Sequence, residues 1–288
     1  MTNDIDTVLT IQFRTYTNPV AIMPREPLKG PLCTKSSLTN GLRTLGLKPR
    51  DNVLVHCSLS SIGWINGGAE TLTHSLLEVL TSEGTLVVPT QTSSNSDPSA
   101  WVDPPVPKDW WQTIRDTMPA FDPQTSRTQR MGVLAETVRT WPGAMRSMHP
   151  QTSFSAVGAN AGLVTEGHAL DCMFGKNSPL ARLEELDAKV LLIGVGFDKC
   201  TCFHLAEYRT GAPKANNSFA ALVDGNREWT TVSDVSVNDE GFGDLGGGFL
   251  KEGNVVEENI GAAKCYLFSL KEAVSFAERW MTLHRTSV

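Results

Sequence analysis

The sequence has no long apolar run and no excess of basic residues. Its apolar stretches fall well short of the ~18 residues that a membrane span requires, so we expect no membrane partner. The formal net charge is −6, which argues against a nucleic-acid partner and is compatible with a cationic ligand. The N-terminus has neither a basic start nor an apolar segment, which predicts a cytoplasmic protein without a signal peptide.

The chain also lacks cysteines at the spacing of a metal site. Its six cysteines are scattered, and Cys200 and Cys202 are too close in sequence for an ordinary pair of metal ligands. We therefore expect reduced thiols and no bound metal. Hydrophobic residues make up 40% and charged residues 19% of the 288 residues, a composition typical of a globular protein with one large α/β domain or two small ones.

The most informative stretch begins at residue 190, where an apolar run rich in branched side chains ends in two glycines. Such a run predicts a strand buried on both faces of a sheet. The residues that follow favour a helix, with Thr201 as its N-cap and with His204 and Glu207 on one face. Because open α/β folds bind ligands where a strand passes into a helix, this pair is a candidate for proton transfer. The alternative is a surface helix whose His204 and Glu207 merely face water, and the spacing alone favours neither.

Hydrophobic periodicity and turn residues predict the other elements of a mixed α/β fold. Residues 51–89 have the pattern of a βαβ unit, and Asp224-Gly225 is a strong signal for a hairpin turn. The predicted helices are 34–45, 69–80, 131–139, 159–166, one opening at 178–183, and 270–284. The predicted strands are 51–56, 84–89, 154–158, 190–195, 219–223, 227–232 and 266–268.

Three segments fall outside this pattern. Residues 1–30 contain three prolines, with a fourth at position 31, and predict an N-terminal arm, which leaves 31–288 as the main domain. Residues 90–128 are rich in Ser, Asp, Pro and Trp, and their tryptophans predict a packed, functional segment. Residues 234–248 are acidic and glycine-rich and predict a mobile loop, which together with the hairpin forms an insertion at about 215–260.

Seven separated stretches together resemble the aminoglycoside 3-N-acetyltransferase family. In chain order they are His56-Cys-Ser-Leu-Ser-Ser-Ile-Gly63, Gly84-Thr-Leu-Val-Val-Pro89, Phe121-Asp-Pro-x-Thr-Ser126, Met131-Gly-x-Leu-Ala-Glu136, Arg146-Ser-x-His-Pro150, Ser178-Pro-Leu-Ala-Arg182 and Thr201-x-x-His-Leu-Ala-Glu207. The resemblance implies a three-layer α/β/α domain with a mixed, largely parallel sheet and a small β-rich C-terminal insertion. It also implies an acetyl-CoA-dependent N-acetyltransferase that modifies a cationic amine, an aminoglycoside antibiotic, without a metal. The resemblance is also compatible with a homodimer.

The resemblance implies that the loop from Ser58 to Gly63 contacts acetyl-CoA. Independently of it, backbone N–H groups and a helix dipole between a strand and a helix favour an anion there. The alternative is an ordinary βα turn. A second helix start near Arg130 offers a cation for a phosphate, although a solvated Arg130 is nearly as plausible. The residues assigned to the co-substrate are Ser58, Ser60, Ser61, Pro89, Ser126, Arg130, Met131, Gly132 and Phe154.

For catalysis we expect His204 to be the general base and Glu207 to fix its tautomer, with the Thr201 hydroxyl or loop N–H groups stabilising the oxyanion. His149, in a loop before Pro150, is the second choice, and its alternative is a structural histidine. His56 ends a buried strand and is interpreted as a satisfied core residue.

The polycationic acceptor requires carboxylates near the site. The residues assigned to the acceptor are Asp97, Trp101, Asp198, Asp234 and Asp239. Taken singly, each acidic residue is more often a solvated turn residue, and the glycine-rich segment 238–248 departs from the pattern expected of resistance enzymes. Three other classes stay open: a same-fold acyltransferase for another amine, a thiol acyltransferase or hydrolase that uses Cys57 or Cys200 as its nucleophile, and a non-enzymatic binding module.

Overall fold

A computed structural model describes residues 30–285 of the chain. The predicted arm at residues 1–30 lies, apart from Gly30, outside the described residues. Between residues 30 and 285 the chain forms no helix that is both long and apolar enough to span a membrane.

The helices and strands alternate along most of the chain. The helices are α1 (Lys35–Leu45), α2 (Gly68–Leu80), α3 (Trp111–Thr117), α4 (Gly132–Arg139), α5 (Ala161–Thr165), α6 (Pro179–Glu185), α7 (Phe203–Glu207), α8 (Phe242–Glu252) and α9 (Leu270–His284). The strands are β1 (Leu32–Cys33), β2 (Asn52–Cys57), β3 (Trp64–Ile65), β4 (Thr85–Pro89), β5 (Met145–Arg146), β6 (Phe154–Gly158), β7 (Lys189–Ile193), β8 (Lys214–Val223), β9 (Asn226–Val235), β10 (Val256–Ile260) and β11 (Ala263–Ser269).

A seven-stranded mixed sheet with the order β10-β11-β7-β2-β4-β6-β5 forms the centre of the fold. Strand β2 pairs in parallel with β4 on one side and with β7 on the other. The four outer pairings are antiparallel. The predicted α/β class and mixed sheet are confirmed, but parallel pairing is limited to the three central strands. The outer strands β11 and β6 run against their inner neighbours, so the sheet is less parallel than expected.

Helices cover both faces of this sheet, which gives the predicted three layers. One apolar cluster joins one face of the central strands to α1, α2 and α4. The other cluster joins the opposite face to α5–α9. Alternation along β2 decides which residue faces which layer, since Val53 and Val55 belong to the first cluster and Leu54 to the second.

Local signals explain why the first elements form as the sequence predicts. Thr34 and Ser37 make a reciprocal capping box at the start of α1, and Gly46 ends the helix in a left-handed conformation. The apolar residues of α1 recur at helical spacing and are buried, namely Leu38, Leu42 and Leu45. The unit β2-α2-β4 is the βαβ unit predicted for residues 51–89.

The second half of the segment that the sequence predicts as a mobile loop is helical. Residues 242–252 form α8, whose apolar side chains Phe242, Leu245 and Phe249 are buried at helical spacing. Glycines lower helix propensity, but packing of this face against Phe197 and Phe276 overrides that preference. Strand β10 also lies inside the predicted insertion at 215–260, yet it belongs to the central sheet.

The hairpin β8–β9 forms a separate two-stranded sheet that turns at Asp224-Gly225 as predicted. Segment 90–128 packs against this hairpin. The Asn95 side chain exchanges two hydrogen bonds with the backbone of Ala220, and Arg227 donates to the Met118 carbonyl at 3.1 Å. The expected packing of the segment is therefore confirmed, and its role stays a prediction.

Candidate active site

A cavity of about 1050 Å³ opens at the carboxyl edge of the three parallel strands. Its walls come from the ends of β2 and β4, from the segment that follows β7, from the first residues of α2 and α4, and from α7 and α8. Because parallel strands place their carboxyl ends at the same edge, residues that are far apart in sequence meet there. A ligand in this cavity would contact parts of most elements of the central fold.

Gly194 fixes the loop that follows β2 to the end of β7. Its φ of +62° lies in the left-handed region, and a Cβ at this position would lie 1.6 Å from the Ser61 Oγ. The Ser61 hydroxyl donates instead to the Ser58 carbonyl at 2.6 Å, and the Ser58 N–H donates to the Ile193 carbonyl at 2.9 Å. A side chain at residue 194 would therefore displace the loop that carries Ser58 and Ser60 into the cavity.

His204 lies at the wall of the cavity and is held by Glu207. The Nδ1 of His204 is 2.7 Å from the Glu207 Oε2, and the two residues lie one turn apart on α7. The imidazole stacks on Phe174 with ring centroids 4.8 Å apart and contacts Phe242 at 4.9 Å. With Nδ1 engaged and the ring held against two aromatic side chains, the imidazole is fixed in orientation and Nε2 is left for a ligand.

Glu207 is 1% exposed, and His204 is not its sole partner among the described residues. Its second oxygen accepts from the Asn238 N–H at 3.0 Å and from the Arg285 guanidinium, with which it forms an ion pair. Arg285 also donates to the carbonyls of Asn238 and Glu240 at 2.7 and 2.8 Å. The carboxylate behind the histidine is thus desolvated but compensated by charge and hydrogen bonds.

The structure brings six of the nine residues assigned to the co-substrate to the cavity: Ser58, Ser60, Pro89, Arg130, Met131 and Gly132. Gly132 has a φ of +81° and begins α4 beside the Cys57 carbonyl, and the Arg130 side chain is exposed. Ser61, Ser126 and Phe154 lie elsewhere. The Ser126 hydroxyl accepts from the Asp122 N–H at 3.0 Å, and Phe154 is fully buried in the core against Phe174.

Two of the five residues assigned to the acceptor line the cavity, Asp198 and Asp239. Asp198 is exposed and lies 3.1 Å from the Lys199 Nζ. The Trp101 indole is not among the lining residues and donates to the Ser96 hydroxyl at 2.9 Å.

The positions of Asp97 and Asp234 do not support the predicted substrate contacts. Asp97 makes a bidentate pair with Arg115 at 2.8 and 2.9 Å, and this guanidinium lowers the pKa of the carboxyl to about 2. Asp234 is buried, and its Oδ2 accepts at 2.7 Å from the Tyr208 hydroxyl and from the Met173 N–H. Both carboxylates hold loops together, because each is already engaged by neighbouring donors.

The structure also places the two secondary catalytic candidates. The Nδ1 of His149 accepts from the N–H groups of Gln151 and Thr152 at 3.1 Å, and its fully buried ring lies outside the cavity. This arrangement corresponds to the structural alternative for His149. Thr201 does line the cavity, but Cys202 is the N-cap of α7, so the predicted cap position was wrong by one residue.

Sequence reasoning missed several residues of the site. His56 lines the cavity, although it was interpreted as a satisfied core residue, and its Nε2 has no hydrogen-bond partner within residues 30–285. Its place at the carboxyl end of β2, beside the strand that leads to His204, was a usable signal. Phe174 and Arg285 carry no such signal, because only the folded chain brings them to α7.

The thiols and possible metal ligands of the described chain do not suggest another chemistry. Burial raises the pKa of the Cys57 thiol to about 12, with a further contribution from Cys265. Cys200 and Cys202 are buried with their sulfurs 3.3 Å apart. Between residues 30 and 285 there is no group of three or more His, Cys, Asp or Glu side chains placed to hold a metal ion.

Fold and site together are those of an α/β enzyme with its active site at the carboxyl edge of the sheet. The family model of aminoglycoside 3-N-acetyltransferase matches residues 54–282. The chain is 45% identical over 249 residues to the SPbeta prophage-derived aminoglycoside N(3')-acetyltransferase-like protein YokD of Bacillus subtilis, covering 86% of this chain and 92% of that protein. It is 31% identical over 264 residues to aminoglycoside N(3)-acetyltransferase III of Pseudomonas aeruginosa, covering 86% and 93%.

Solved structures agree with these relatives. The crystal structure of YokD from Bacillus subtilis superposes with a TM-score of 0.87 at 43% identity, covering 88% of this chain and 95% of that one. The binary complex of AAC-IIIb with CoASH superposes with a TM-score of 0.79 at 29% identity, covering 90% of this chain and 100% of that one. AAC-VIa bound to sisomicin gives 0.79 at 28% identity, covering 89% and 100%. The chain belongs to the aminoglycoside 3-N-acetyltransferase family, and it is accordingly an acetyltransferase.

Proposed function

We propose that this protein transfers the acetyl group of acetyl-CoA to the 3-amino group of a 2-deoxystreptamine aminoglycoside and so provides antibiotic resistance. The observation that carries the proposal is the His204–Glu207 pair at the wall of the cavity, with 2.7 Å between Nδ1 and Oε2. Membership of the family supports the reaction, the CoASH complex of AAC-IIIb supports the donor, and the sisomicin complex of AAC-VIa supports the acceptor.

The residues of the cavity fit a coenzyme A thioester, which supplies the acetyl group in activated form. The N-termini of α2 and α4 open on the cavity, where their positive dipole ends favour phosphate groups. Arg130 adds an exposed cation, and the hydroxyls of Ser58 and Ser60 can hydrogen-bond polar parts of the donor. The side chains of Leu59 and Met131 give an apolar wall for its less polar arm.

His204 is the general base in this proposal. An acceptor amine is mostly protonated near neutral pH and must lose a proton before it can attack. A neutral His204 whose Nδ1–H donates to Glu207 presents the lone pair of Nε2 to the cavity, where it takes the proton directly or through one water. The Glu207 carboxylate then stabilises the imidazolium that forms.

The reaction takes place in one ternary complex. A bond forms between the amine nitrogen and the acetyl carbon, the carbon–sulfur bond breaks, and the sulfur leaves as a thiolate. The ammonium form of the acceptor gives up two protons in the reaction: one goes to His204, which passes it to the thiolate, and the other is released to water. The Thr201 hydroxyl, at the cavity wall, is placed to stabilise the oxyanion.

A second acceptor class is favoured by the charges around the cavity. Among its described lining residues, the carboxylates are Asp198 and Asp239, and the cations Arg130 and Lys199 oppose them. Because Asp198 is already 3.1 Å from Lys199, little uncompensated negative charge faces a polycation. The second candidate function is therefore acetylation, by the same His204 chemistry, of an amine that carries fewer charges than an aminoglycoside.

The test is release of free thiol from acetyl-CoA across a panel of aminoglycosides and simple amines, with mass spectrometry of the products. His204→Ala should lower turnover by roughly 10²–10⁴-fold if His204 is the general base. His74→Ala is a matched control, because His74 also has a glutamate near its ring (Glu70 at 3.9 Å) but is exposed on α2. Turnover of simple amines alone would select the second candidate. No thiol release with any amine, or an active His204→Ala variant, would contradict the mechanism.

A further inference from the structure

A second imidazole, that of His56, faces the same cavity as His204. His56 lies at the carboxyl end of β2 and pairs in register with Leu192 of β7, the strand that leads to His204. Strand alternation places its side chain on the same face of the sheet as Leu54, which is the face covered by α7. The residue is 7% exposed, and its ring forms part of the cavity wall.

The Nε2 of His56 is shielded from water and has no hydrogen-bond partner among residues 30–285. Native proteins leave few buried polar atoms unpaired, and such atoms often have a catalytic or ligand-binding reason. Three other side-chain atoms in the described chain share this state, those of Thr39, His149 and Thr230, but none of these residues lines the cavity. Of these four residues with an unpaired buried atom, His56 is therefore the one whose ring a ligand in the cavity can approach.

The environments of the two imidazoles fit them for different tasks. His204 is backed by the Glu207 carboxylate, which stabilises it after it takes a proton. His56 has no carboxylate against it in the described chain, and burial together with the nearby His204 lowers its pKa to about 4. His56 is thus neutral near pH 7, and a neutral imidazole donates one hydrogen bond without adding a charge that would oppose protonation of His204.

We propose that His56 is a catalytic residue whose ring N–H donates a hydrogen bond to the carbonyl oxygen of the acetyl thioester and stabilises the negative charge that develops there. This assignment rests on the acetyl transfer proposed above, and it holds for whichever amine is the acceptor. His56 and Thr201 both line the cavity and are both buried, and a hydrogen bond to developing charge is strong where water is largely excluded.

The test compares His56→Phe with His56→Gln. Removal of one oxyanion donor typically lowers kcat by 10²–10³-fold, so we expect a loss of that order for Phe, with the KM of acetyl-CoA within about threefold of wild type. Gln keeps a donor and should recover at least about tenfold of the loss. Without ligand, His56→Phe should unfold at the same temperature as wild type or higher, because an apolar ring of similar shape replaces an unpaired buried nitrogen.

These readouts separate a catalytic role from a structural one. A histidine that only supports the fold would lower the unfolding temperature when changed to Phe, and wild-type kcat in a folded His56→Phe protein would equally overturn the proposal. The infrared carbonyl band of bound ¹³C-acetyl-CoA gives a readout without turnover. Relative to free acetyl-CoA, we expect this band to shift to lower frequency in wild type and in the control His74→Phe but not in His56→Phe. Equal band positions in all three proteins would refute the proposed hydrogen bond. Absence of amine acetylation by wild type would refute the proposed function alone, since the band still reports on His56.

Discussion

Glu207→Gln is the substitution that isolates the charge behind the candidate base. A glutamine side chain has nearly the same shape and can still accept a hydrogen bond from the His204 Nδ1–H, so the ring should keep its orientation. What disappears is the negative charge 2.7 Å from Nδ1, on a side chain that is 1% exposed. The substitution therefore removes stabilisation of the imidazolium and leaves the neutral ground state largely intact.

The magnitude follows from that geometry. A hydrogen bond that involves a charged group contributes about 1.5–3 kcal/mol, and the loss falls mainly on the transition state, in which His204 carries the proton. This range corresponds to a fall in kcat of roughly 10–150-fold. The KM values should change little, because Glu207 lies behind His204 and is not part of the cavity wall.

The same substitution should also lower stability, because Arg285 loses its anionic partner. Breaking a fully buried pair costs about 3–5 kcal/mol, and the cost here should be smaller, about 1–3 kcal/mol, since the Arg285 side chain is 27% exposed. The double variant Glu207→Gln/Arg285→Met separates the two effects. It should recover stability, because no unpaired guanidinium remains, but not kcat.

The assay is thiol release per mole of folded protein, with thermal unfolding measured in parallel. Glu185→Gln is the matched control, since Glu185 makes an i,i+3 pair with Arg182 at 3.3 Å but is 64% exposed. Exposed pairs contribute little, so this control should match wild type in kcat and lie within about 1 kcal/mol in stability. A folded Glu207→Gln protein with kcat within threefold of wild type would refute the assigned role.

Three further predictions concern charge and protonation. Asp198→Asn should raise the KM of a cationic acceptor by up to about fivefold at low salt, because Asp198 lines the cavity. Asp97 lies outside the cavity and pairs with Arg115, so Asp97→Asn should lower stability and leave KM unchanged. Steady-state kinetics together with thermal unfolding checks both variants. Cys57→Ser should keep at least half of wild-type kcat, because a thiol with a pKa of about 12 is protonated near pH 7, and a trapped acyl-enzyme in mass spectrometry would contradict this. Burial lowers the pKa of His56 to about 4 from 6.5, so between these values the unfolded chain binds more protons at this site than the folded chain. The contribution of His56 to the free energy of unfolding is therefore complete above pH 6.5 and is lost as the pH falls toward 4. Between pH 7 and pH 5 the free energy of unfolding should therefore fall by ~2 kcal/mol less in His56→Phe than in wild type. An equal fall in the two proteins would contradict a buried, neutral His56.

The parts of the fold that the sequence predicted are those with local signals. Each of these signals spans no more than about a dozen consecutive residues. They are the Thr34 cap and leucine spacing of α1 and the apolar runs of β2, β4 and β7. The His204–Glu207 pair was predictable for the same reason, since its two residues are one helical turn apart. The parallel β2–β4 pairing followed from the length of the chain between the strands.

The parts that the sequence did not reveal depend on distant contacts. Helix α8 contains three consecutive glycines, which lower helix propensity, and its packing against Phe197 and Phe276 overrides that preference. The approach is close, since a Cβ at Gly246 would lie 2.0 Å from the Phe197 Cβ. Strand β10 is largely exposed and polar, so its alternation gives no strand signal. Asp97 resembled a substrate ligand because nothing in its neighbourhood along the chain indicates the pairing with Arg115.

The contact between Arg285 and Glu207 makes the candidate site depend on a residue that is translated much later. A ribosome completes Glu207 78 residues before it reaches Arg285, so a growing chain carries the carboxylate long before its guanidinium partner exists. Until α9 has been made and has docked, Glu207 lacks the charge that compensates its burial. Acetylating activity should therefore appear only after α9 has docked, and a protein cut by a protease just after His284 would keep His204 and Glu207 while losing the group that stabilises Glu207.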